Sequence, residues 1–209
     1  MSITDYLKKI RDNAWNTAQL GREFERFVKR FLKTDPVYAQ QFDEVWLWGE
    51  CPFAKGNDVG IDLVARTKFG EYVAIQTKCY QPGTQVDKAD VDTFLSASGK
   101  QITPDGKAMF YSSRLIIATN DNWTSHASEA IVGQQIPVSR IGLEYIQNAA
   151  IDWQKFFDGG KKVVVKKDLR PHQSAALNDV NVLPVPQAMM SCPRSADLSP
   201  FTTSLSAAD

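Results

Sequence analysis

Two short stretches decide the fold: Gly56-Asn-Asp-Val-Gly-Ile-Asp62-Leu-Val-Ala65, and Gln76-Thr-Lys78-Cys-Tyr80, with thirteen residues between Asp62 and Gln76. Val59–Ala65 is an apolar run broken by one carboxylate. Thr67–Gly70 has turn composition, and Glu71–Cys79 reads as a second strand, so the pair predicts a β-hairpin. Side chains two apart in a strand share a face, which puts Gln76 and Lys78 beside Tyr72 and Ala74 and turns Val73, Ile75 and Thr77 the other way. Asp62 stands between Ile61 and Leu63, where a carboxylate is costly to bury unless it is paired or binds a cation.

If the strands are hairpin neighbours, Asp62, Gln76 and Lys78 can converge at one point on the sheet, with the Thr77 carbonyl beside them. Such a set suits Mg²⁺, which takes a few oxygen ligands and keeps several waters. The cation would stabilise charge on a phosphate and acidify a bound water. Lys78 would orient or help deprotonate that water and offset transition-state charge. The plainer alternative is a structural ion pair of Asp62 with Lys78. Asp58, four residues before Asp62, is the rival carboxylate, or else a loop residue capping a turn.

Outward from the hairpin, residues 4–33 carry helical periodicity: Leu20, Phe24, Phe27, Val28 and Phe31 recur at three- and four-residue spacing, and Thr34-Asp35-Pro36 ends the pattern. A strand is expected around Glu44–Trp48 and a loop over Gly49–Gly56. A helix should open over Val86–Leu95, with a buried strand at Arg114–Thr119. Helix at 123–132, a short strand at Ile136–Ser139 and helix at Leu143–Ala150 complete the pattern. This order predicts an α/β sandwich with a mixed central sheet. His126 and His172 lie far apart and read as structural or exposed; Trp46, Trp48 and Trp123 read as core or rim.

The 209 residues hold 24 Lys and Arg against 24 Asp and Glu. The length fits one α/β domain with an extension, and 43% apolar residues exclude wholesale disorder. Charge is uneven: residues 1–33 carry a net +4, 34–158 a net −6 and 159–209 a net +2. Nucleic-acid binding needs local basic patches rather than a basic total, so it is permitted but not demanded. No apolar run approaches the roughly 18 residues of a membrane span, and Met1–Asp12 has no signal-peptide core. Cys51, Cys79 and Cys192 form neither a zinc pattern nor an even disulfide set. A cytoplasmic protein is expected.

The string Gly-Ile-Asp62 followed by Gln76-Thr-Lys78 resembles the PD-(D/E)xK nuclease superfamily in its Mrr-like branch, where Gln-x-Lys follows the Asp on the next strand. Gly21-Arg-Glu-Phe24-Glu25-Arg-Phe-Val28 is similar to that family's first core helix, and the resemblance runs over roughly residues 17–150. It implies a restriction-endonuclease-like αβββαβ sandwich and Mg²⁺-dependent cleavage of double-stranded DNA, with Mn²⁺ able to substitute. It further implies Asp62 as principal metal ligand, Gln76, Glu25 and the Thr77 carbonyl as auxiliary ligands, and Lys78 as the catalytic lysine. Val59 departs from the pattern, where the branch commonly has Gly. The competing expectation is a catalytically silent DNA-binding or interaction module.

Asp168-Leu-Arg170-Pro-His172-Gln173 resembles the opening of superfamily 2 helicase motors, in which the Gln contacts adenine. With the preceding domain, this is similar to the N-terminus of type ISP restriction-modification enzymes. The implied division is a nuclease domain at 1–158, a basic linker at 159–167, the start of a helicase-like segment at 168–182, and a disordered tail at 183–209. No Gly-x-x-x-x-Gly-Lys phosphate loop follows, so ATP hydrolysis is not expected, and the low-complexity tail suggests truncation or frameshift. Helicase and methyltransferase domains of a longer parent are the expected partners. Cutting both strands would call for two copies on DNA.

Overall fold

The computed structural model describes residues 1–54, 56, 60–160 and 164. The chain divides into two units, Met1–Lys166 and Lys167–Asp209, and the second lies outside the described residues, together with the expectations for 168–182 and 183–209. Asp58 and Val59 are also outside them, as is nearly all of the linker at 161–167.

The expected N-terminal helix is two helices. Helix α1 (Ile3–Asn13) starts at Ser2, which forms a capping box with Asp5. It stops at Ala14, which is extended. Asn16 then starts α2 (Thr17–Thr34) by accepting the amide of Gln19 at 2.8 Å. Apolar periodicity runs through both helices and hides the break, because Asn is neutral to hydrophobic patterning yet decisive as a cap. Asp35 also does more than end a helix. Its carboxylate accepts the amides of Val37 and Tyr38 at 3.0 and 3.2 Å and begins α3 (Pro36–Gln41), with Pro36 in the first turn.

Strands β1 (Phe42–Leu47), β2 (Leu63–Thr67) and β3 (Tyr72–Lys78) form an antiparallel meander. Helix α4 (Lys88–Ser98) carries the chain to β4 (Ser113–Ala118), parallel to β3. Helix α5 (Ser125–Ala130) carries it to β5 (Val138–Ile141), parallel to β4. The sheet is thus mixed, in the order β1-β2-β3-β4-β5. Helices α6 (Leu143–Gln147) and α7 (Trp153–Phe157) follow; α7 has no counterpart among the expected elements. Five residues are too few to display a helical period.

Helices cover both faces. On one, Leu7, Phe24, Phe27, Phe31, Ile146 and Phe156 pack against Leu63, Ala65, Val73, Ile75, Leu115 and Ile117. On the other, Val91, Phe94, Ala97 and Ala127 pack against Val64, Tyr72, Ala74 and Ile116. The alternation expected for Tyr72–Ile75 is therefore the observed one. The second face holds one buried cation. Arg114 gives its guanidinium N–H groups to Ser98 Oγ at 2.7 Å and Leu95 O at 3.1 Å near the end of α4, and to Ile136 O at 3.2 Å just before β5.

The Phe27 ring lies at the centre of an aromatic group, with centroids 5.3 Å from Tyr6, 6.2 Å from Trp153 and 5.8 Å from Phe156. This group fixes α2 to the sheet and to α7.

Candidate active site

Asp62 lies just ahead of β2 rather than within it. The β2–β3 ladder ends at Leu63 opposite Ile75. Beyond that pair the Asp62 amide donates to Ile75 O at 3.0 Å, and the Thr77 amide donates to the Asp62 carboxylate, Oδ2, at 2.6 Å. The Thr77 hydroxyl donates to the same oxygen at 3.2 Å. A side-chain oxygen thus replaces a main-chain carbonyl in the ladder. This charge-assisted bond fixes the acid onto the Gln-Thr-Lys strand.

The bend before Asp62 needs a glycine. Gly60 has φ +94°, and a Cβ there would come within 3.0 Å of the Thr93 methyl on α4. Its carbonyl also accepts from Gln76 Nε2 at 3.5 Å, and Gln76 is buried.

Asp62 opens into a cleft of about 620 Å³ shared with Ala18, Gly21, Arg22, Glu25 and Arg26 of α2, and with Trp48 and Glu50 beyond β1. Glu25, assigned by resemblance to the metal, therefore lines the same cleft as Asp62. Arg22 and Arg26 line the same cleft, Arg26 being paired with Glu23 Oε1 at 2.8 Å.

Lys78 is engaged elsewhere. Its Nζ is 3.3 Å from Asp90 Oδ1 on α4, both side chains being about one-third exposed. The Tyr80 hydroxyl donates to Asp90 Oδ2 at 2.8 Å. The structure thus brings together Asp62, Thr77 and Glu25 on the α2 side, while Gln76 and Lys78 contact Gly60 and Asp90 on the α4 side. The ion partner of Lys78 is Asp90, not the Asp62 considered from sequence. Burial, followed by the hydrogen bond to Asp90 and that carboxylate's charge, pushes the Tyr80 phenol far above its ordinary range. It therefore remains a donor.

Asp90 was legible only as part of a helix start. It is the N3 residue of a capping box with Asp87, and nothing in the spacing of Lys78 and Tyr80 points to it. Among the described residues no three His, Cys, Asp or Glu side chains gather as a metal cage. A cation in the cleft would meet the carboxylates of Asp62 and Glu25. Asp62 and Glu25 in one cleft supply hard anionic donors, which fit Mg²⁺ and not a soft metal.

The mixed sheet layered by helices, with a lone acid at the start of the second strand and Gln-x-Lys on the third, defines a restriction-endonuclease-like fold. A restriction endonuclease family model (Mrr_cat_2) matches residues 33–163, and the chain belongs to that family. The structure of the ATP-dependent type ISP restriction-modification enzyme LlaBIII bound to DNA is similar with a TM-score of 0.63 and 32% identity. The match covers 87% of this chain and 11% of that one, so the chain spans about a tenth of that enzyme's length. The restriction endonuclease MspJI, in complex with a 27-mer oligonucleotide, matches at a TM-score of 0.38 and 16% identity over 63% of this chain and 31% of that one, too distant to inform the site. No curated protein matches the chain. No helix among the described residues is long and apolar enough to cross a membrane.

Proposed function

We propose that the chain is the nuclease part of a restriction enzyme and hydrolyses phosphodiester bonds of double-stranded DNA with Mg²⁺, or with Mn²⁺ in its place. The observation that carries this reading is the cleft lined by both Glu25 of α2 and Asp62, the latter held by the Gln-Thr-Lys strand. Asp62 is the principal ligand. Glu25 is auxiliary, and so by the resemblance are the Thr77 carbonyl and the Gln76 amide oxygen, a role for which the Gln76 side chain must leave Gly60 on the α4 side. When bound, the cation supplies charge neutralisation at the phosphate and a more acidic water. Thr77 fixes the direction of the Asp62 carboxylate. Lys78 brings a cation that orients the nucleophilic water and offsets charge on the phosphorane-like transition state. Arg22 and Arg26 bind the phosphate backbone beside the carboxylates.

The proposed division keeps the nuclease domain at 1–158, the linker at 159–167 and the helicase-like start at 168–182. Helicase and methyltransferase domains of a longer parent are the partners, and two copies on DNA cut both strands. The type ISP enzyme found similar to this chain is itself ATP-dependent and was seen bound to DNA.

Mg²⁺-dependent nicking of supercoiled plasmid tests the assignment. Asp62→Ala and Lys78→Ala should each abolish it, and unchanged nicking in both would end the enzyme reading. One observation favours the silent module: Gln76 and Lys78 already have partners within the fold. Duplex binding with no metal-stimulated cleavage at high protein concentration would decide for that module.

A further inference from the structure

We infer that Asp90 and Tyr80 form a positioning pair for Lys78, an inference that rests on the proposed nuclease reading. A lysine side chain has four rotatable bonds, so a lysine that must meet one phosphate or one water gains from being held in advance. In this chain the holder is built in three steps. Thr119 Oγ1 accepts the Tyr80 amide at 2.9 Å, and Arg11 of α1 donates to the Tyr80 carbonyl at 2.7 Å, so the backbone just beyond Lys78 is tied to β4 and to α1. The Tyr80 hydroxyl reaches from that fixed backbone to Asp90 Oδ2 at 2.8 Å. Asp90 is further placed by the helix start, where it exchanges hydrogen bonds with Asp87. Its second oxygen, Oδ1, is left to receive Lys78 at 3.3 Å.

The two oxygens of Asp90 thus divide the work: one is anchored by a neutral donor, the other holds the ammonium. A surface ion pair alone contributes little. Here one member is fixed by three elements of the fold, so the pair orders the lysine at small further entropic cost. The Lys88–Asp92 pair on the same helix shows the contrast: both side chains are about half exposed and separated by one turn of α4. Among the described residues it has no counterpart of Tyr80.

The test uses the 209-residue chain with Asp90→Asn, Tyr80→Phe and, as control, Asp92→Asn. Asp90→Asn retains an oxygen to accept the Asp87 amide and so spares the helix start; thermal melting verifies this. Amine acetylation followed by mass spectrometry reads how firmly Lys78 is held, without requiring activity. Labelling at Lys78 should rise in Asp90→Asn and Tyr80→Phe, with Lys8 and Lys107 unchanged, and should stay parental in Asp92→Asn. Single-turnover nicking of supercoiled plasmid in Mg²⁺ should fall about 10- to 100-fold in Asp90→Asn, the range for outer-shell partners of a reactive centre. Affinity for a fluorescent duplex should remain parental.

Unchanged Lys78 labelling in both variants overturns the pair, as does a parental or raised nicking rate in Asp90→Asn. A fall in rate matched by an equal fall in melting temperature in both variants also overturns it, since the effect is then structural. Lys78→Ala separates this failure from that of the parent reading. If it nicks normally the nuclease assignment fails; if it is dead while Asp90→Asn is normal, only the positioning pair fails.

Discussion

Asp62 has two duties that substitution can separate. Its Oδ2 receives the Thr77 amide at 2.6 Å and the Thr77 hydroxyl at 3.2 Å, and Thr77 is only 8% exposed. Asp62→Ala leaves that amide without its acceptor, a loss of about 1–3 kcal/mol. For a domain of this size each kcal/mol lowers Tm by roughly 2–4 °C. Asp62→Asn keeps an oxygen in place and forfeits only the charge assistance, about half the strength of the bond. It should therefore melt within roughly 1 kcal/mol of the parent. Chemistry should not follow this order. Both variants lose the carboxylate proposed as principal ligand, so on that reading nicking in Mg²⁺ should fall at least about 100-fold in each, the upper end of what loss of a mere outer-shell partner costs. Thermal melts and plasmid nicking on the same preparations give both readouts. Parental nicking by Asp62→Asn would refute the ligand assignment. Equal melting of the Ala and Asn variants would refute the structural role of the Thr77 bond.

Arg114→Leu should destabilise by roughly 1–3 kcal/mol, because Ile136 O loses a buried donor while Leu95 O keeps the Gly99 amide; a shift below about 1 kcal/mol in urea melts contradicts this bracing role. Burial, as the main cause, pushes the Tyr6 phenol up to about 12. The folded state therefore keeps a proton that the unfolded chain releases near pH 10, and stability present below pH 10 is lost as pH rises through 12. Urea midpoints at pH 9 and 11 measure this, and equal midpoints count against it. Arg22→Ala with Arg26→Ala should weaken duplex binding and reduce the slope of log affinity against log salt by about 0.9 per lost phosphate contact. An unchanged slope by fluorescence anisotropy removes these arginines from the DNA path.

What the sequence could reveal follows from the range of the forces involved. The hairpin was legible because Leu63–Ala65 and Tyr72–Ile75 carry their burial pattern locally, and the register Leu63 opposite Ile75 follows from a short turn. Glu25 was legible only through resemblance, since nothing local separates it from the exposed charges of α2. Its place beside Asp62 comes from the packing of Phe24, Phe27 and Phe31 on the sheet. The split of α1 from α2 was hidden because caps act through single hydrogen bonds, whereas periodicity averages over many residues. The link from Lys78 to Asp90 spans a loop and a helix start, and Tyr80 completes it through one hydroxyl. Spacing in the chain carries no record of such a contact.

The aromatic group around Phe27 has a consequence for any attempt to trim the protein. Glu25 is carried on a helix braced from behind by Trp153, Phe156 and Phe157, whose ring centroids lie 6.2, 5.8 and 6.4 Å from that of Phe27. A fragment ending at residue 150 would retain every strand and every acid of the cleft yet lose this buttress. Rings that never touch the cleft thus set how firmly its α2 wall is held.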